Sequence, residues 1–213
     1  ADLADVDQTV NARQNADKCT ELGGILRNIY KENPSLFWEI VWINLIYSSF
    51  IVNRFASLIK PGTFFDKKSL ADTISASESV SSLTTLHNAV GALMDMFKNS
   101  PIGEGLEQGL TSEKKRLRHS YDDLSAEALA YSLYVYGEKN DTLEFRVSDL
   151  YQPNVECGPY IEFGVSKNAI LKKLRFLSSD PDRVLIAELN MGLDHITLRS
   201  DLNSTTVLEL ITK

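Results

Sequence analysis

Residues 164–200, GVSKNAILKKLRFLSSDPDRVLIAELNMGLDHITLRS, decide the predicted fold. Ser166 is a favourable helix N-cap, and the strong helix formers after it carry apolar residues at helical spacing, namely Ile170, Leu171, Leu174 and Leu177. Asp180-Pro181-Asp182 ends this helix, because proline cannot continue it. Arg183–Leu189 and His195–Arg199 have strand composition on either side of a turn cluster, which predicts a β-hairpin. A basic helix followed by a hairpin is typical of the end of a winged helix-turn-helix unit.

The residues before this stretch predict the rest of such a unit. Ser125–Tyr136 has a helical pattern that starts at a capping serine and ends at Gly137. Thr142–Arg146 is a candidate first strand, and Val147–Gln152 is a short helical turn. Asn154–Phe163 is too long for a minimal turn, so either it carries an insertion or the second helix lies elsewhere. Thr205–Thr212 closes the unit as a short helix or a strand.

The first part of the chain predicts a helical layer. Leu36–Ile59 is the most hydrophobic stretch and is interpreted as one central helix, followed by a second helix over Leu83–Lys98. A stretch of this length is able to span a bilayer, but its ionisable and polar residues favour a core helix instead. The expected fold is mainly α with a small β-hairpin, comprising a helical domain over residues 1–120 and a winged-helix-like domain over residues 121–213.

Composition limits the function classes. The formal net charge is −7, from 22 Lys and Arg against 29 Asp and Glu. This charge argues against a protein that binds nucleic acid or anionic membranes through its surface as a whole. Any DNA contact must therefore be local. The two cysteines, Cys19 and Cys157, lack metal-type spacing, and no signal peptide opens the chain, which favours a cytoplasmic protein without a membrane partner.

Two basic clusters are the candidate DNA-binding elements. Lysine and arginine neutralise phosphates, asparagine is able to read an adenine edge, and a histidine on the hairpin is within reach of a phosphate. A charged helix face is more often simply solvated, but two clusters in one predicted unit favour binding to double-stranded DNA. The candidate residues are Lys114, Lys115, Arg116, Arg118, Lys167, Asn168, Lys172, Lys173, Arg175 and His195.

Four stretches carry a resemblance to a known family. They are ELG at Glu21–Gly23, NPSLFW at Asn33–Trp38 with Trp42 after it, NSPIGEGL at Asn99–Leu106, and FGVSKNAILKKLRFLSSDP at Phe163–Pro181. From about Glu21 to the C-terminus, the chain resembles a bacterial domain family associated with DNA phosphorothioation and Ssp-type modification and defence gene clusters. The resemblance implies a DNA-nicking component that works with other subunits of such a system. Family members carry an additional N-terminal region, and no catalytic motif is matched residue by residue.

A nicking enzyme needs carboxylates that hold a divalent cation such as Mg²⁺ or Mn²⁺ against a phosphate. The nearest pattern is Asp182 followed by Glu188, but Asn190 stands where a lysine is wanted. A helix-stopping turn followed by a strand is the simpler interpretation of these residues. Cys157 is a candidate for sulfur chemistry under the resemblance, and otherwise an ordinary loop cysteine.

Three functions follow as hypotheses. The first is the DNA-binding component of a phosphorothioation-based defence system, with metal-dependent DNA nicking as its candidate activity. The second is a non-enzymatic winged-helix adaptor or transcription regulator. The third is a structural subunit of a larger complex, with an interface formed by aromatic residues, namely Trp38, Trp42, Tyr131, Tyr134 and Tyr136.

Overall fold

The computed structural model describes residues 21–78, 82–152, 155–179, 184–190 and 192–212. Over these residues the chain is mainly helical and contains two small antiparallel sheets. The predicted class, mainly α with a small β-hairpin, is confirmed.

The first half of the described chain packs helices around a small sheet with strand order β1-β3-β2. Asn33 caps the second helix by accepting from the amide of Leu36, and Asp66 and Ser82 cap later helices in the same way. The elements are α1 (Glu21–Glu32), α2 (Pro34–Ser48), α3 (Phe50–Leu58), β1 (Phe64–Phe65), α4 (Lys67–Ser77), α5 (Leu83–Asn99), α6 (Pro101–Glu104), β2 (Leu110–Ser112) and β3 (Lys115–Leu117).

The second half contains a second sheet with strand order β4-β6-β5, in which both pairings are antiparallel. The predicted hairpin and the strand predicted within Thr142–Arg146 are confirmed, and the last segment is a helix. The elements are α7 (Ala126–Asn140), β4 (Glu144–Arg146), a 3₁₀ turn (Val147–Tyr151), α8 (Pro159–Phe163), α9 (Lys167–Ser179), β5 (Leu185–Glu188), β6 (His195–Leu198) and α10 (Ser204–Ile211).

The prediction of one continuous helix over Leu36–Ile59 is wrong. Ser49 has an extended backbone, with φ −117° and ψ 117°, and α2 and α3 meet there at 101°. The hydroxyl of Ser48 donates to the carbonyl of Asn44, a local bond by which serine side chains compete with regular helix geometry. No single helix of the described chain is long and apolar enough to cross a bilayer, and only this bent pair together meets those criteria.

The predicted end of the first winged-unit helix at Gly137 is also wrong. Helix α7 continues through Gly137 to Asn140 and ends at Asp141, which adopts the left-handed conformation. A Cβ on Gly137 would lie 2.7 Å from the carbonyl oxygen of Thr142 and 2.9 Å from a methyl of Leu198. This glycine is therefore required for close packing inside the helix and not for its termination.

Buried contacts cross the predicted boundary between residues 120 and 121. The indole of Trp42 donates to the carbonyl of Glu162 at 2.7 Å. The carboxylate of Glu39, itself buried, accepts from the amide and the hydroxyl of Ser125, the residue that caps α7. The division into two domains stays a prediction, but both parts contribute to one hydrophobic core.

Arg118 is the most unusual buried residue, because its side chain is 1% exposed and has no carboxylate partner. A guanidinium has five N–H donors, and all five are used here. The acceptors are the side-chain oxygen of Gln108 and the carbonyl oxygens of Ala56, Ile59, Ile161 and Glu162. These carbonyls lie at the C-terminal ends of α3 and α8, where the helix dipole favours a cation.

Burial lowers the pKa of Arg118 to about 9, so the side chain remains a cation at neutral pH. The positive charge is thus balanced by oriented backbone carbonyls from two helices. This arrangement links the end of α3, the end of β3 and α8.

Replacement of Arg118 by methionine is expected to lower the free energy of unfolding by at least about 3 kcal/mol, because several buried acceptors lose their donor. Urea denaturation followed by circular dichroism measures this loss. The matched control is Lys115→Met, an exposed position nearby, where a change within about 0.5 kcal/mol is expected. Equal unfolding midpoints for Arg118→Met and wild type would contradict this account of the core.

Candidate nucleic-acid interface

Helix α9 begins at a doubly anchored cap. The hydroxyl of Ser166 accepts from the amide of Ala169 at 3.3 Å and donates to the carboxylate of Asp122 at 2.8 Å. The amide of Ser166 donates to the other oxygen of Asp122 at 2.6 Å. A carboxylate at the first turn also complements the helix dipole. The start of α9 is therefore fixed to the loop that precedes α7.

Helix α9 has one buried face and one open face. Ile170, Leu174 and Leu177 are buried, and the helix packs against α7 and β5. The opposite face presents side chains spaced by four, three, one and three residues, which places them in one stripe along the helix. This exposed stripe consists of Asn168, Lys172, Arg175, Phe176 and Ser179. Phe176, which follows Arg175 in this stripe, is 61% exposed.

The cations of the stripe are free within the described chain. Lys172, Arg175 and the partly exposed Lys173 at its flank make no ion pair or hydrogen bond with any described residue. Lys167 differs, because its ammonium lies 3.4 Å from the carboxylate of Asp194. Lys172, Lys173 and Arg175 are therefore available to bind phosphates, whereas the charge of Lys167 is partly neutralised by Asp194.

His195 has a carboxylate on each neighbouring strand and an arginine directly opposite it on one of them. It lies on the central strand β6, opposite Glu188 on β5 and Arg146 on β4. Its Nε2 is 3.7 Å from the carboxylate of Glu144. Like charges on a phosphate and on these carboxylates repel, so His195 is less suited to a phosphate contact than the free cations of α9.

The other basic cluster divides between solvent and core. Lys114 and Lys115 are exposed at the turn and start of β3, whereas Arg116 donates to the carbonyl of Gly109 at 2.6 Å. The prediction that Arg118 contacts DNA is wrong, because its guanidinium is buried and all of its donors are used. Nothing in the run EKKRLRH distinguishes the buried arginine from its exposed neighbours.

The predicted catalytic pair is only half described. Asp182 lies outside the described residues, and Glu188 is exposed at the end of β5. Among the described residues, no group of three or more His, Cys, Asp or Glu side chains is arranged to hold a metal ion. The Mg²⁺ or Mn²⁺ requirement and the roles of Asp182 and Glu188 stay predictions.

Aromatic residues predicted for an interface are mostly internal. Trp42, Tyr131 and Tyr134 are at most 2% exposed, so the prediction that they form a partner surface is wrong. Tyr134 donates to the carbonyl of Val184, the residue before β5, and thereby helps to hold the hairpin. Trp38 and Tyr136 are partly exposed.

Cys157 belongs to a buried polar cluster that sequence reasoning missed. Tyr47 and Glu162 lie close enough to interact electrostatically with each other and with the thiol. The hydroxyl of Ser132 donates to one carboxylate oxygen of Glu162. The hydroxyl of Tyr47 is the hydrogen-bonding neighbour of both Glu162 and Cys157 in this cluster. Burial raises the pKa of the Cys157 thiol, which disfavours the nucleophilic thiolate that sulfur chemistry would need.

Comparison with protein-family models, with curated proteins and with solved structures finds no match. The resemblance to the phosphorothioation-associated family therefore stays a prediction.

Glu162 is expected to make stability fall as pH rises. Burial raises its pKa from 4.5 to about 7, so the folded state holds the proton more tightly than the unfolded state. Its contribution is fully present below pH 4.5 and is lost as pH rises through 7, with a size of about 3 kcal/mol. Urea denaturation at pH 5 and pH 9 should show that Glu162→Gln removes this part of the dependence. An unchanged pH dependence in the folded variant would exclude Glu162 as its source.

Proposed function

We propose that residues 121–213 form a winged-helix-type unit that binds double-stranded DNA through the exposed stripe of α9. The observation that carries the proposal is the set of free cations on the open face of a helix that is followed directly by a hairpin. Lys172 and Arg175 are suited to phosphate oxygens, and Asn168 lies on the same face with an amide able to pair with an adenine edge.

The order of elements supports this assignment. A long helix, a short strand, two short helical segments, α9 and a hairpin follow one another from α7 to β6. The strand order β4-β6-β5 puts the first strand beside the last one, so that β5 of the hairpin forms one edge of the sheet. In helix-turn-helix proteins the second helix of the motif enters the major groove, and α9 is the corresponding helix here.

The charge distribution supports local binding. The chain carries a net charge of −7, and acidic residues flank the hairpin at Glu144, Glu188 and Asp194. DNA is repelled by the acidic surface, so the protein is expected to bind it only in the orientation that presents the basic face of α9. We expect weak non-specific affinity and strong dependence on salt.

Phe176 favours a second candidate function. A phenylalanine that is 61% exposed next to Arg175 is equally suited to a partner protein, and Ile186 on β5 is 53% exposed. Exposed apolar residues among polar ones are typical of protein interaction sites. On this alternative the unit is an adaptor that recruits an acidic partner without contacting DNA.

The resemblance supports a narrower form of the first proposal. In that form the protein is the DNA-engaging component of a phosphorothioation-based defence system, acts with other subunits, and nicks DNA in the presence of Mg²⁺ or Mn²⁺. Glu188 is the last residue of β5, and β5 packs against α9. Arg175 lines one surface pocket together with Leu189 and Asn190, the residues after Glu188, so DNA held by α9 would pass near Glu188.

Charge reversal on α9 tests DNA binding. The triple variant Lys172→Glu, Lys173→Glu and Arg175→Glu is expected to bind a labelled duplex at least about a hundredfold more weakly at low salt, because phosphate attraction becomes repulsion. The control reverses Arg27, Lys31 and Lys98, exposed cations on α1 and α5, with the same change in net charge. Fluorescence anisotropy measures affinity, and circular dichroism verifies folding. Equal losses in both variants, or no wild-type binding at low salt, would reject α9 as the DNA-binding element.

Nicking is tested separately with supercoiled plasmid. Incubation with Mg²⁺ or Mn²⁺ is expected to yield open-circular DNA that is absent with a chelator and with folded Asp182→Ala and Glu188→Ala variants. Asp72→Ala, an exposed acid on α4, is the control and should retain activity. Plasmid retardation that weakens with salt, without nicking, would leave a DNA-binding adaptor and remove both catalytic assignments.

A further inference from the structure

A groove of about 570 Å³ lies on the part of the molecule formed by α1, the start of α2, the start of α7 and α10. Its volume falls in the range of about 300–1,000 Å³ that is typical of binding clefts. The groove lies outside the α9 stripe and shares no residue with it. It is therefore unrelated to the proposed DNA contact.

The floor of the groove is apolar. Ile25 and Ile29 line it from α1, Leu36 lines it from α2, and Ile211 lines it from the end of α10. Ile29 and Leu36 are almost fully buried, whereas Ile25 and Ile211 keep part of their surface exposed. An occupant that covered these side chains with apolar groups would remove that surface from water.

The groove is also bordered by carboxylates from three different helices. Glu32 ends α1, Glu127 lies in the first turn of α7, and Glu209 lies on α10. None of the three makes an ion pair or hydrogen bond with a described residue. The cations of α1, Arg27 and Lys31, do not line the groove. Three like charges around one apolar floor repel each other until a cationic occupant neutralises them.

We infer that this groove binds a basic amphipathic helix of a partner protein, with the apolar face of that helix on the isoleucine floor and its lysines or arginines against the glutamates. This is the helix-in-groove mode of peptide recognition. Long basic side chains suit the border, because their methylene stems cover apolar surface while their charged ends reach the carboxylates.

Charge argues against the occupants that the chain itself offers. The first twenty residues, which precede α1, contain four aspartates against one arginine and one lysine. A second copy of the chain carries a net charge of −7. Both would add negative charge next to Glu32, Glu127 and Glu209, which disfavours either of them relative to a basic partner.

The test uses the full chain and a synthetic helical probe. The probe is a fluorescent peptide of about four turns with leucines at helical spacing and lysines elsewhere, beside the same peptide with glutamate for lysine. The double variant Glu32→Lys and Glu209→Lys is expected to bind the lysine peptide at least about tenfold more weakly. Asn28→Trp, which fills the groove without a change in charge, is expected to weaken binding comparably.

The control is Asp72→Lys with Asp95→Lys, which changes the net charge equally on the exposed sides of α4 and α5. Retained binding in this control, with loss in the groove variants, supports the proposal. The proposal is overturned by equal weakening in both double variants, by equal binding of the glutamate peptide, or by no binding to wild type, as expected if residues 1–20 fill the groove. Self-association in sedimentation experiments that Glu32→Lys and Glu209→Lys abolish would identify a second copy as the occupant and overturn it as well.

Discussion

The fold depends on a buried guanidinium that is balanced by peptide carbonyls. Arg118 has no carboxylate partner in the core, and its donors are satisfied by the last turns of α3 and α8 together with Gln108. A cation at two helix C-termini is favourable because both helix dipoles point their negative ends towards it. The same carbonyl of Glu162 also accepts from the indole of Trp42, so that α2, α3 and α8 meet at one polar centre.

This centre determines where the candidate DNA-binding helix lies. Helix α8 ends at Gly164, whose φ of +64° lets the chain turn directly into α9. A Cβ at Gly164 would lie 2.3 Å from the ring of Pro61, just after α3, so only glycine permits this approach. Close packing at the ends of α3 and α8 therefore fixes the position of α9, and the exposed carboxylate of Asp122 holds its N-terminus. The exposed stripe is presented by a rigidly supported helix.

Local signals in the sequence predicted the elements that depend on neighbours in the chain. The cap at Ser166, the helical spacing of Ile170, Leu174 and Leu177, and the hairpin strands all follow from side chains a few residues apart. The same spacing identified Lys172 and Arg175 as exposed. The bend at Ser49 was missed although its Ser48–Asn44 bond is local, because such bonds also occur in unbroken helices. The helix that continues through Gly137 was missed because Gly137 packs against Leu198, which is distant in the sequence. For the same reason Arg118 could not be separated from exposed cations, since its acceptors lie 43 to 62 residues away, apart from Gln108.

The contact between Trp42 and Glu162 spans 120 positions of the chain and has a consequence for biosynthesis. Helix α2 contains the most apolar residues of the protein, and its partners in the core include α7 and α8. When α1 to α6 have been synthesised, the part of α2 that packs on α7 and α8 is still uncovered. Chaperones and proteases meet the chain in that interval, and only synthesis of the second half ends it. The first half of the chain therefore completes its core only after the second half has been synthesised.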